Sequence, residues 1–288
     1  MKEADELKEV AFLQSTKMAM KLKTNAEWIE WGRRDPLFGV ASWANKHADG
    51  ATPWKEDEFY ALGASDWRDF ESHWNAYRYT PGTFVEIGCG AGRITNQLSQ
   101  TFQNGHALDV SEDMIRYARA HVTRGNVEWH LAEGLTIPLG DNTVDAAFSC
   151  HVLQHLPSPV VGYAYFREIL RTLKPGGSLM VHLPVHIYPA GISSKFAALC
   201  DFMHRRLLQP VLAMKSGIQR LRMKRGGIPP MHATSFELSE LYNSLVKIGF
   251  ERVEIIAFPT RSNGALHPFV LATKPNAYPD GPPRPQRL

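Results

Sequence analysis

The most informative stretch of the chain is an apolar segment that breaks into three alternating glycines and then leads into a predicted helix. It reads Phe84-Val85-Glu86-Ile87-Gly88-Cys89-Gly90-Ala91-Gly92-Arg93-Ile94. Because Gly88, Gly90 and Gly92 lack a Cβ and tolerate positive φ, their main-chain N–H groups can come close to a bound nucleoside. The segment predicts a buried strand, a tight turn and a helix, the opening unit of a doubly wound α/β sheet.

A second strand is predicted around residues 106–108, and the acid Asp109 follows it directly. In a doubly wound sheet the carboxyl ends of neighbouring strands line one crevice, and ligands bind there. Asp109 is therefore placed to accept hydrogen bonds from a ribose. Ser111 can cap the helix that follows, since its hydroxyl can accept from the unpaired backbone N–H groups of the first turn.

Two further predicted strands also lead to residues that can carry chemistry. Residues 127–131 lead to Glu133 and Gly134, and residues 144–149 lead to Cys150 and His151. Because these strands belong to the same sheet, their ends are expected at the same crevice as the glycine turn and Asp109.

With these motifs the sequence resembles the class I S-adenosylmethionine-dependent methyltransferases of the small-molecule, type 11 domain kind. The resemblance runs motif by motif from Thr83 to Leu183 and more loosely to Lys274. It implies a Rossmann-like, doubly wound, mostly parallel seven-stranded sheet with an antiparallel last strand. Residues 252–257 and 268–273 are strand-like and close enough in sequence to form the terminal antiparallel hairpin of that family.

The resemblance also implies the cofactor, S-adenosylmethionine, and the residues that hold it. The glycine turn would carry its methionine part, Asp109 its ribose hydroxyls, Glu133 the adenine amino group, and the Gly134 N–H a ring nitrogen. The implied cofactor-binding set is Glu86, Gly88, Cys89, Gly90, Gly92, Asp109, Val110, Glu133, Gly134 and Ser149. A second glycine pair, Gly176 and Gly177, would reverse the chain between a helix from about residue 160 and the fifth strand.

A nicotinamide-dependent dehydrogenase is the rival nucleotide-binding hypothesis, because it shares the strand, the glycine turn and the distal acid. Its fingerprint has the third glycine three positions after the second, whereas Gly92 lies two positions after Gly90. The spacing favours the methyltransferase and leaves the dehydrogenase as an alternative.

Charge and cysteine content exclude some classes of function. The net charge of +3 on 288 residues is too small to indicate a nucleic-acid partner, and no basic stripe with interleaved aromatic residues is present. The three cysteines, Cys89, Cys150 and Cys200, are few and unpatterned, as in a reducing cytoplasm. The first residues lack the basic region and apolar segment of an export signal, so we expect a cytoplasmic protein.

Three regions lie outside the predicted catalytic sheet. Residues 1–80 are expected to form an aromatic-rich helical cap whose rings pack on the edge of the sheet of the methyltransferase domain, residues 81–275. A direct role of these rings in binding the acceptor is the alternative. Residues 186–232 form an apolar and basic helical insertion after the fifth strand, either a lid, a scaffold, or, through residues 195–225, a peripheral membrane contact. Residues 276–288 are rich in proline and are expected to be a disordered tail.

Histidines supply the candidate catalytic groups. Transfer from a sulfonium needs a base only if the acceptor must lose a proton, and histidine suits that task near pH 7. His151 follows the fourth strand and is the candidate base, and His182, near the end of the fifth strand, is the second candidate. His155 is interpreted as structural. No carboxylate or cysteine joins His151 and His155 at ligand spacing, so no metal site is expected.

These observations predict a methyltransferase that acts on a small or lipid-like acceptor, at oxygen rather than at nitrogen or carbon, because histidines suit deprotonation of a hydroxyl. One alternative is a carbon or nitrogen methyltransferase with a membrane-associated acceptor. Another is a pseudoenzyme that binds the cofactor and serves as a partner subunit. The sequence indicates neither the acceptor's identity nor the oligomeric state.

Overall fold

The computed structural model describes residues 25–132, 135–187 and 233–276. The strands in this part of the chain are β1 (Thr83–Ile87), β2 (Asn104–Asp109), β3 (Val127–Leu131), β4 (Val144–Ser149), β5 (Leu173–His182), β6 (Val185–His186), β7 (Phe236–Glu237), β8 (Glu251–Pro259) and β9 (Leu266–Thr273). Seven of them form one sheet in the order β3-β2-β1-β4-β5-β9-β8.

The sheet has the predicted doubly wound topology. Strands β3, β2, β1, β4 and β5 are mutually parallel, whereas β9 runs antiparallel to both of its neighbours, β5 and β8. The fold class predicted from the sequence is confirmed. The strand order reverses between β1 and β4, so the crevice for a ligand opens beyond Ile87 and Ser149, at the carboxyl ends of those two strands.

Helices cover both faces of the sheet. They are α1 (residues 25–34), α2 (Pro36–Val40), α3 (Glu56–Tyr77), α4 (Thr95–Thr101), α5 (Glu112–His121), α6 (Pro159–Thr172) and α7 (Leu238–Ile248), and a short 3-10 turn lies at Leu153–His155. Side chains alternate along β1, so Val85 and Ile87 pack with the α6 and α7 layer while Phe84 packs with the α3 and α4 layer. None of the helices in the described ranges is long and apolar enough to cross a membrane.

Helix α3 packs against a different part of the sheet from the one predicted for the cap. Trp67, Phe70, Trp74 and Tyr77 recur at helical spacing and are all buried, as the pattern predicts, but they pack on the face of the sheet rather than on its edge. The Trp74 indole N–H donates to the Ser178 hydroxyl at 3.0 Å in the core of this layer. Burial of each large ring stabilises the fold by about 1.5–3 kcal/mol. The predicted boundary at residue 80 therefore separates a helix from a strand that share one core.

The second glycine pair also has a different role from the predicted one. Helix α6 ends at Thr172 and β5 begins at the next residue, so Gly176 and Gly177 lie inside β5. Val144 of β4 pairs with Leu173 of β5, and Ala146 pairs with Ser178. From the first pair to the second, β4 advances by two residues and β5 by five. The extra residues bulge, and Gly176, with φ of +76°, supplies the left-handed backbone for that bulge.

The two ends of the predicted insertion are held together. Strand β6 pairs in parallel with β7, and the Thr234 N–H donates to the carbonyl of Gln154 at 2.6 Å. The chain therefore leaves the sheet and returns to it beside the 3-10 turn. Residues 188–232, which include most of the predicted insertion, lie outside the described residues, as do residues 1–24 and 277–288 of the predicted cap and tail.

Candidate active site

The glycine turn that follows β1 has the backbone that the sequence predicts. Gly88, Gly90 and Gly92 all have positive φ, at +74°, +51° and +81°. The N–H groups of Gly88 and Cys89 both donate to the carbonyl of Leu108, at 2.8 and 2.9 Å, so the turn is fastened to β2. A residue with a Cβ at these positions would be strained in this backbone conformation.

Asp109 joins the turn to the neighbouring helix. Its Oδ2 accepts from the Gly90 N–H at 2.8 Å and its Oδ1 accepts from the Ser111 N–H at 2.9 Å. Burial raises the pKa of Asp109, and the backbone N–H donors act in the opposite direction. The Val110 N–H also donates to this carboxylate, which has about four acceptor positions, so roughly one remains for a ribose hydroxyl.

A cavity of about 340 Å³ runs over the glycine turn and past the end of β4. Its first end is lined by Gly88, Gly90, Asp109 and Val110, with apolar walls from Leu108, Ala132 and Ile137. Its second end is lined by Cys150, His151, His155, His267, Arg93 and Asp66. The first end offers carboxylate acceptors and apolar surface, which fit the ribose and base of S-adenosylmethionine. Glu133 and Gly134 lie outside the described residues, so the predicted adenine contacts stay predictions.

Four members of the predicted cofactor set lie behind the cavity wall. Cys89 is buried, with its thiol 3.7 Å from the Gly90 carbonyl, and Ser149 is buried with its hydroxyl donating to the Ile87 carbonyl at 2.9 Å. Gly92 faces α5, where a Cβ would come within 2.9 Å of the Ala118 side chain. These residues, and Glu86, support the turn. Their assignment as cofactor contacts stays a prediction.

Glu86 is a buried carboxyl group in the layer between β1 and α4. Its Oε2 accepts from the Thr95 hydroxyl at 2.5 Å, and the side chain is 3% exposed. Burial raises the pKa of Glu86 to about 8, while the Thr95 hydrogen bond and the Arg93 charge act to lower it. The carboxyl therefore fixes the direction in which α4 leaves the turn.

Three histidines meet at the second end of the cavity. The ring of His151 lies 4.2 Å from that of His182 and 5.2 Å from that of His267, measured between centroids. His182 and His267 are 5.4 Å apart. The structure thus brings together both predicted catalytic histidines, although His151 lines the cavity and His182 lies behind it. His267 was not predicted.

Burial keeps these rings uncharged. It lowers the pKa of His151 to about 3, with a further contribution from the Arg93 charge. It also lowers the pKa of His182 and of His267. Neutral imidazoles can accept a hydrogen bond from an incoming hydroxyl.

A buried ion pair forms the neighbouring wall. A terminal guanidinium nitrogen of Arg93 donates to Asp66 Oδ2, and both side chains are less than a tenth exposed. Arg93 Nε and Asp66 Oδ1 have no hydrogen-bond partner within the described ranges. Both residues line the cavity, although these two atoms themselves are buried behind its surface.

Helices α1 and α2 close the cavity from the amino-terminal side. The Trp28 ring lies 4.7 Å from the His155 ring, and a Cβ on Gly90 would fall 2.4 Å from the side chain of Val40. His155 therefore lies at the cavity and packs against the cap, which is compatible with the structural role predicted for it. The aromatic cap contributes directly to the site.

Some site residues could have been found from the sequence and others could not. Asp66 falls on the aromatic face of α3, and an acid on an apolar helix face is a signal of a buried polar role. His267 carries no such signal, because only the pairing of β9 with β5 brings it to the cavity.

Comparisons with known proteins agree with this geometry. Residues 85–181 match the model of a family described as a methyltransferase domain. Malonyl-[acyl-carrier protein] O-methyltransferase of Hahella chejuensis is 34% identical over 102 residues, which are 35% of this chain and 36% of that relative. N-demethylindolmycin N-methyltransferase of Streptomyces griseus is 28% identical over 146 residues, 48% of this chain and 60% of that relative.

The chain spans between about a third and three fifths of the length of these two curated relatives. Among solved structures, a SAM-dependent methyltransferase from Aquifex aeolicus has 23% sequence identity and a TM-score of 0.46, covering 71% of this chain and 89% of that one. The family match sets aside the dehydrogenase alternative.

Replacement of Asp109 by Ala tests the cofactor wall. The change removes a charged acceptor from the ribose position, so S-adenosylmethionine binding should weaken by about 1.5–3 kcal/mol, roughly ten- to a hundredfold. Asp113→Ala, in the first turn of α5, which follows Asp109, is the matched control and should leave the affinity for S-adenosylmethionine unchanged. Calorimetry measures both. Unchanged affinity in Asp109→Ala, or tighter binding of NADH than of S-adenosylmethionine to the native chain, would contradict the assignment.

Replacement of Glu86 by Gln tests the buried carboxyl through pH dependence. A pKa raised from 4.5 to about 8 stabilises the fold fully below pH 4.5, and this contribution is lost as the pH rises to about 8. Gln keeps an acceptor for Thr95 without a charge, so Glu86→Gln should gain stability over the native chain by roughly 2–4 kcal/mol between pH 5 and 8. Urea unfolding at both pH values measures this difference, with the exposed Glu112→Gln as control. A difference that does not change with pH would show that Glu86 is not the titrating group.

Proposed function

We propose, from the match of residues 85–181 to a methyltransferase domain, that this chain transfers a methyl group to the hydroxyl of a small-molecule or lipid-like acceptor. The cofactor is S-adenosylmethionine, which supplies an activated methyl group. The observation that carries the choice of oxygen is the cluster of neutral imidazoles, His151, His182 and His267, at the end of the cavity away from Asp109.

The residues of the chain provide alignment and a proton acceptor. Gly88, Gly90 and Asp109 hold the cofactor at the first end of the cavity, and Trp28 and Val40 cover it from the cap. A closed cavity that aligns the reactants and excludes water can contribute about 7–11 kcal/mol to the barrier reduction. His151, which lines the second end, accepts the hydrogen bond of the acceptor hydroxyl.

The low pKa of His151 is compatible with this role. A ring with a pKa of about 3 is uncharged throughout the neutral range, so its nitrogen is free of a proton, but it is a weaker base than the histidine acting near pH 7 that the sequence suggested. The hydroxyl oxygen becomes far more acidic once its bond to the methyl carbon forms. Even a weak base can then take the proton, which passes to the imidazole late in the transfer.

A carboxylate is a second oxygen acceptor that one observation favours. Arg93 lines the cavity with a buried Nε that has no partner within the described ranges, and a guanidinium is the preferred partner of a carboxylate. One of the relatives is named as an O-methyltransferase of malonyl-[acyl-carrier protein]. Alkali distinguishes the two products of labelled-methyl transfer into a cell extract, because a methyl ester releases methanol and a methyl ether does not.

Acceptors at carbon or nitrogen and the pseudoenzyme partner subunit are the remaining alternatives. One relative is named as an N-methyltransferase, so the family match leaves the acceptor atom open. An amine that enters the site uncharged can attack without first losing a proton, so it would depend less on the imidazole cluster than a hydroxyl does. A chain that binds S-adenosylmethionine tightly and methylates no compound of the extract would favour the pseudoenzyme.

Replacement of His151 by Ala tests the proton acceptor. Turnover of the hydroxyl acceptor should fall by roughly a hundredfold or more, because the proton loses its acceptor. Cofactor affinity by calorimetry should be unchanged, since His151 lies at the other end of the cavity. His121→Ala, on the outer part of α5, controls for a general effect of histidine removal. A His151→Ala variant with most of its turnover would direct attention to a carbon or nitrogen acceptor.

A membrane-associated acceptor is the more specific form of this proposal. Residues 195–225 contain Lys195, Arg205, Arg206, Lys215, Arg220, Arg222, Lys224 and Arg225 against the single acid Asp201. The described strands on either side of it, β6 and β7, pair with each other, and Thr234, before β7, donates to the carbonyl of Gln154, a cavity residue. A basic, apolar segment gains binding energy from both lipid burial and anionic headgroups.

Vesicle sedimentation tests the membrane contact. The chain should sediment with anionic vesicles more than with neutral ones, and changing Arg222, Lys224 and Arg225 to Ser should reduce this binding, since each basic residue near the surface contributes about 1 kcal/mol. Arg33, Arg116 and Arg119 changed to Ser make a charge-matched control elsewhere on the surface. Equal, negligible binding to both vesicle types, with acceptor KM unaltered in the triple variant, would leave the insertion as scaffold.

A further inference from the structure

A group of possible metal ligands lies at the second end of the cavity, where the imidazoles are. Sγ of Cys150 and one ring nitrogen each of His151 and His182 all lie within 4.8 Å of one another. The first two residues follow β4 and the third ends β5, and those strands are neighbours in the sheet. In the sequence, only His155 is spaced as a possible metal-binding partner of His151, whereas the fold brings Cys150 and His182 beside it.

One ring nitrogen of this group is buried without a partner. The His182 side chain is 4% exposed, and its Nδ1 makes no hydrogen bond to any residue in the described ranges. Burial of a polar atom without a partner opposes folding, so such an atom in a native core requires an explanation. Coordination of an ion would satisfy it.

The backbone at His151 is the third observation. Its φ is +59°, which is uncommon for a residue with a Cβ. Successive side chains of an extended chain point in opposite directions, so Cys150 and His151 would normally diverge. The left-handed residue breaks that alternation, and the two ligand atoms lie near each other. Strained backbone of this kind is concentrated at functional sites.

We propose that Cys150, His151 and His182 bind a divalent d-block cation of the Zn²⁺ type, with a fourth coordination position open to the cavity. One thiolate and two imidazoles are ligands that Zn²⁺ and Co²⁺ accept, and three protein ligands with an open position are typical of catalytic sites. Ligand bonds of about 2.0–2.3 Å require the three atoms to lie roughly 3.5 Å apart, so atoms now within 4.8 Å of one another would have to approach by up to about 1 Å when the ion binds.

The charges around the site are compatible with a cation once the thiol is ionised. Arg93 lies close enough to lower the pKa of His151 by repulsion, but its charge is paired with Asp66. Binding forms a metal–sulfur bond and displaces the Cys150 thiol proton to solvent, so the site gains one negative charge. With an ion bound, the His151 nitrogen that ligates it could not accept the proton of the acceptor hydroxyl; the ion would lower the pKa of that hydroxyl, and its proton would pass to solvent.

This inference rests on the proposed function only for what occupies the open position. A second group of ligand types, His106, Glu128 and His130, lies on β2 and β3. In that group the two imidazoles are hydrogen-bonded to each other, with His106 Nδ1 3.1 Å from His130 Nε2, and the group is partly exposed. It serves as the internal control for metal that binds elsewhere.

Cobalt titration of the full chain tests the proposal. Co²⁺ should bind with one equivalent that produces a thiolate-to-cobalt charge-transfer band in the near ultraviolet and tetrahedral visible bands. Cys150→Ser should lose the charge-transfer band, and His182→Gln should weaken the binding of this equivalent at least tenfold. The His106→Gln, His130→Gln double variant should keep both the band and the equivalent.

The outcomes separate this proposal from the methyltransferase assignment. S-adenosylmethionine calorimetry on the same samples reports the first end of the cavity and should be unaffected in Cys150→Ser, which also shows that the variant is folded. A native chain without the charge-transfer band, or with a band that persists in Cys150→Ser, would overturn the metal site while leaving the cofactor assignment intact. Loss of cofactor binding in the native chain would instead overturn the proposed function.

Discussion

The site depends on the Asp109 carboxylate. One of its oxygens holds the glycine turn through the Gly90 N–H, and the other holds the start of α5 through the Ser111 N–H. The charge is therefore compensated by backbone dipoles in a buried position, and the three elements are fixed before any ligand binds. Such preorganisation reduces the ordering cost of binding, because the acceptors for the ribose are already in place. The remaining parts of the cavity are arranged around this wall.

The elements that local chemistry determines could be predicted. The glycine spacing and the apolar strand predicted β1 and its turn, the acid after β2 was identified as Asp109, and the terminal hairpin was found. Alternation of side chains along β1 could have gone further. Glu86 has the same parity as Phe84, which packs against the α3 and α4 layer, so the period of two already directs Glu86 toward a helix rather than toward a ligand.

The histidine cluster could not be predicted because it depends on pairing between distant strands. The register of β5 and β9 sets His182 opposite Phe269, and His267 stands two residues before that position. A shift of one residue would turn His267 to the other face of the sheet. The position of Gly176 inside a bulge could not be predicted from the local sequence either, because the bulge in β5 arises from the register of β5 with β4.

We interpret the Arg93–Asp66 ion pair as part of the surface of the cavity rather than as an interaction that stabilises the fold. Removing two charges from water is costly, and a buried ion pair often stabilises a fold no more than apolar residues of the same volume would. Here one nitrogen and one oxygen of the pair also lack partners within the described ranges, which adds to the cost. Both atoms belong to residues that line the cavity beside neutral imidazoles. Because both atoms are buried, a polar group would reach them only after a movement of the two side chains, and bonding them would then offset that cost.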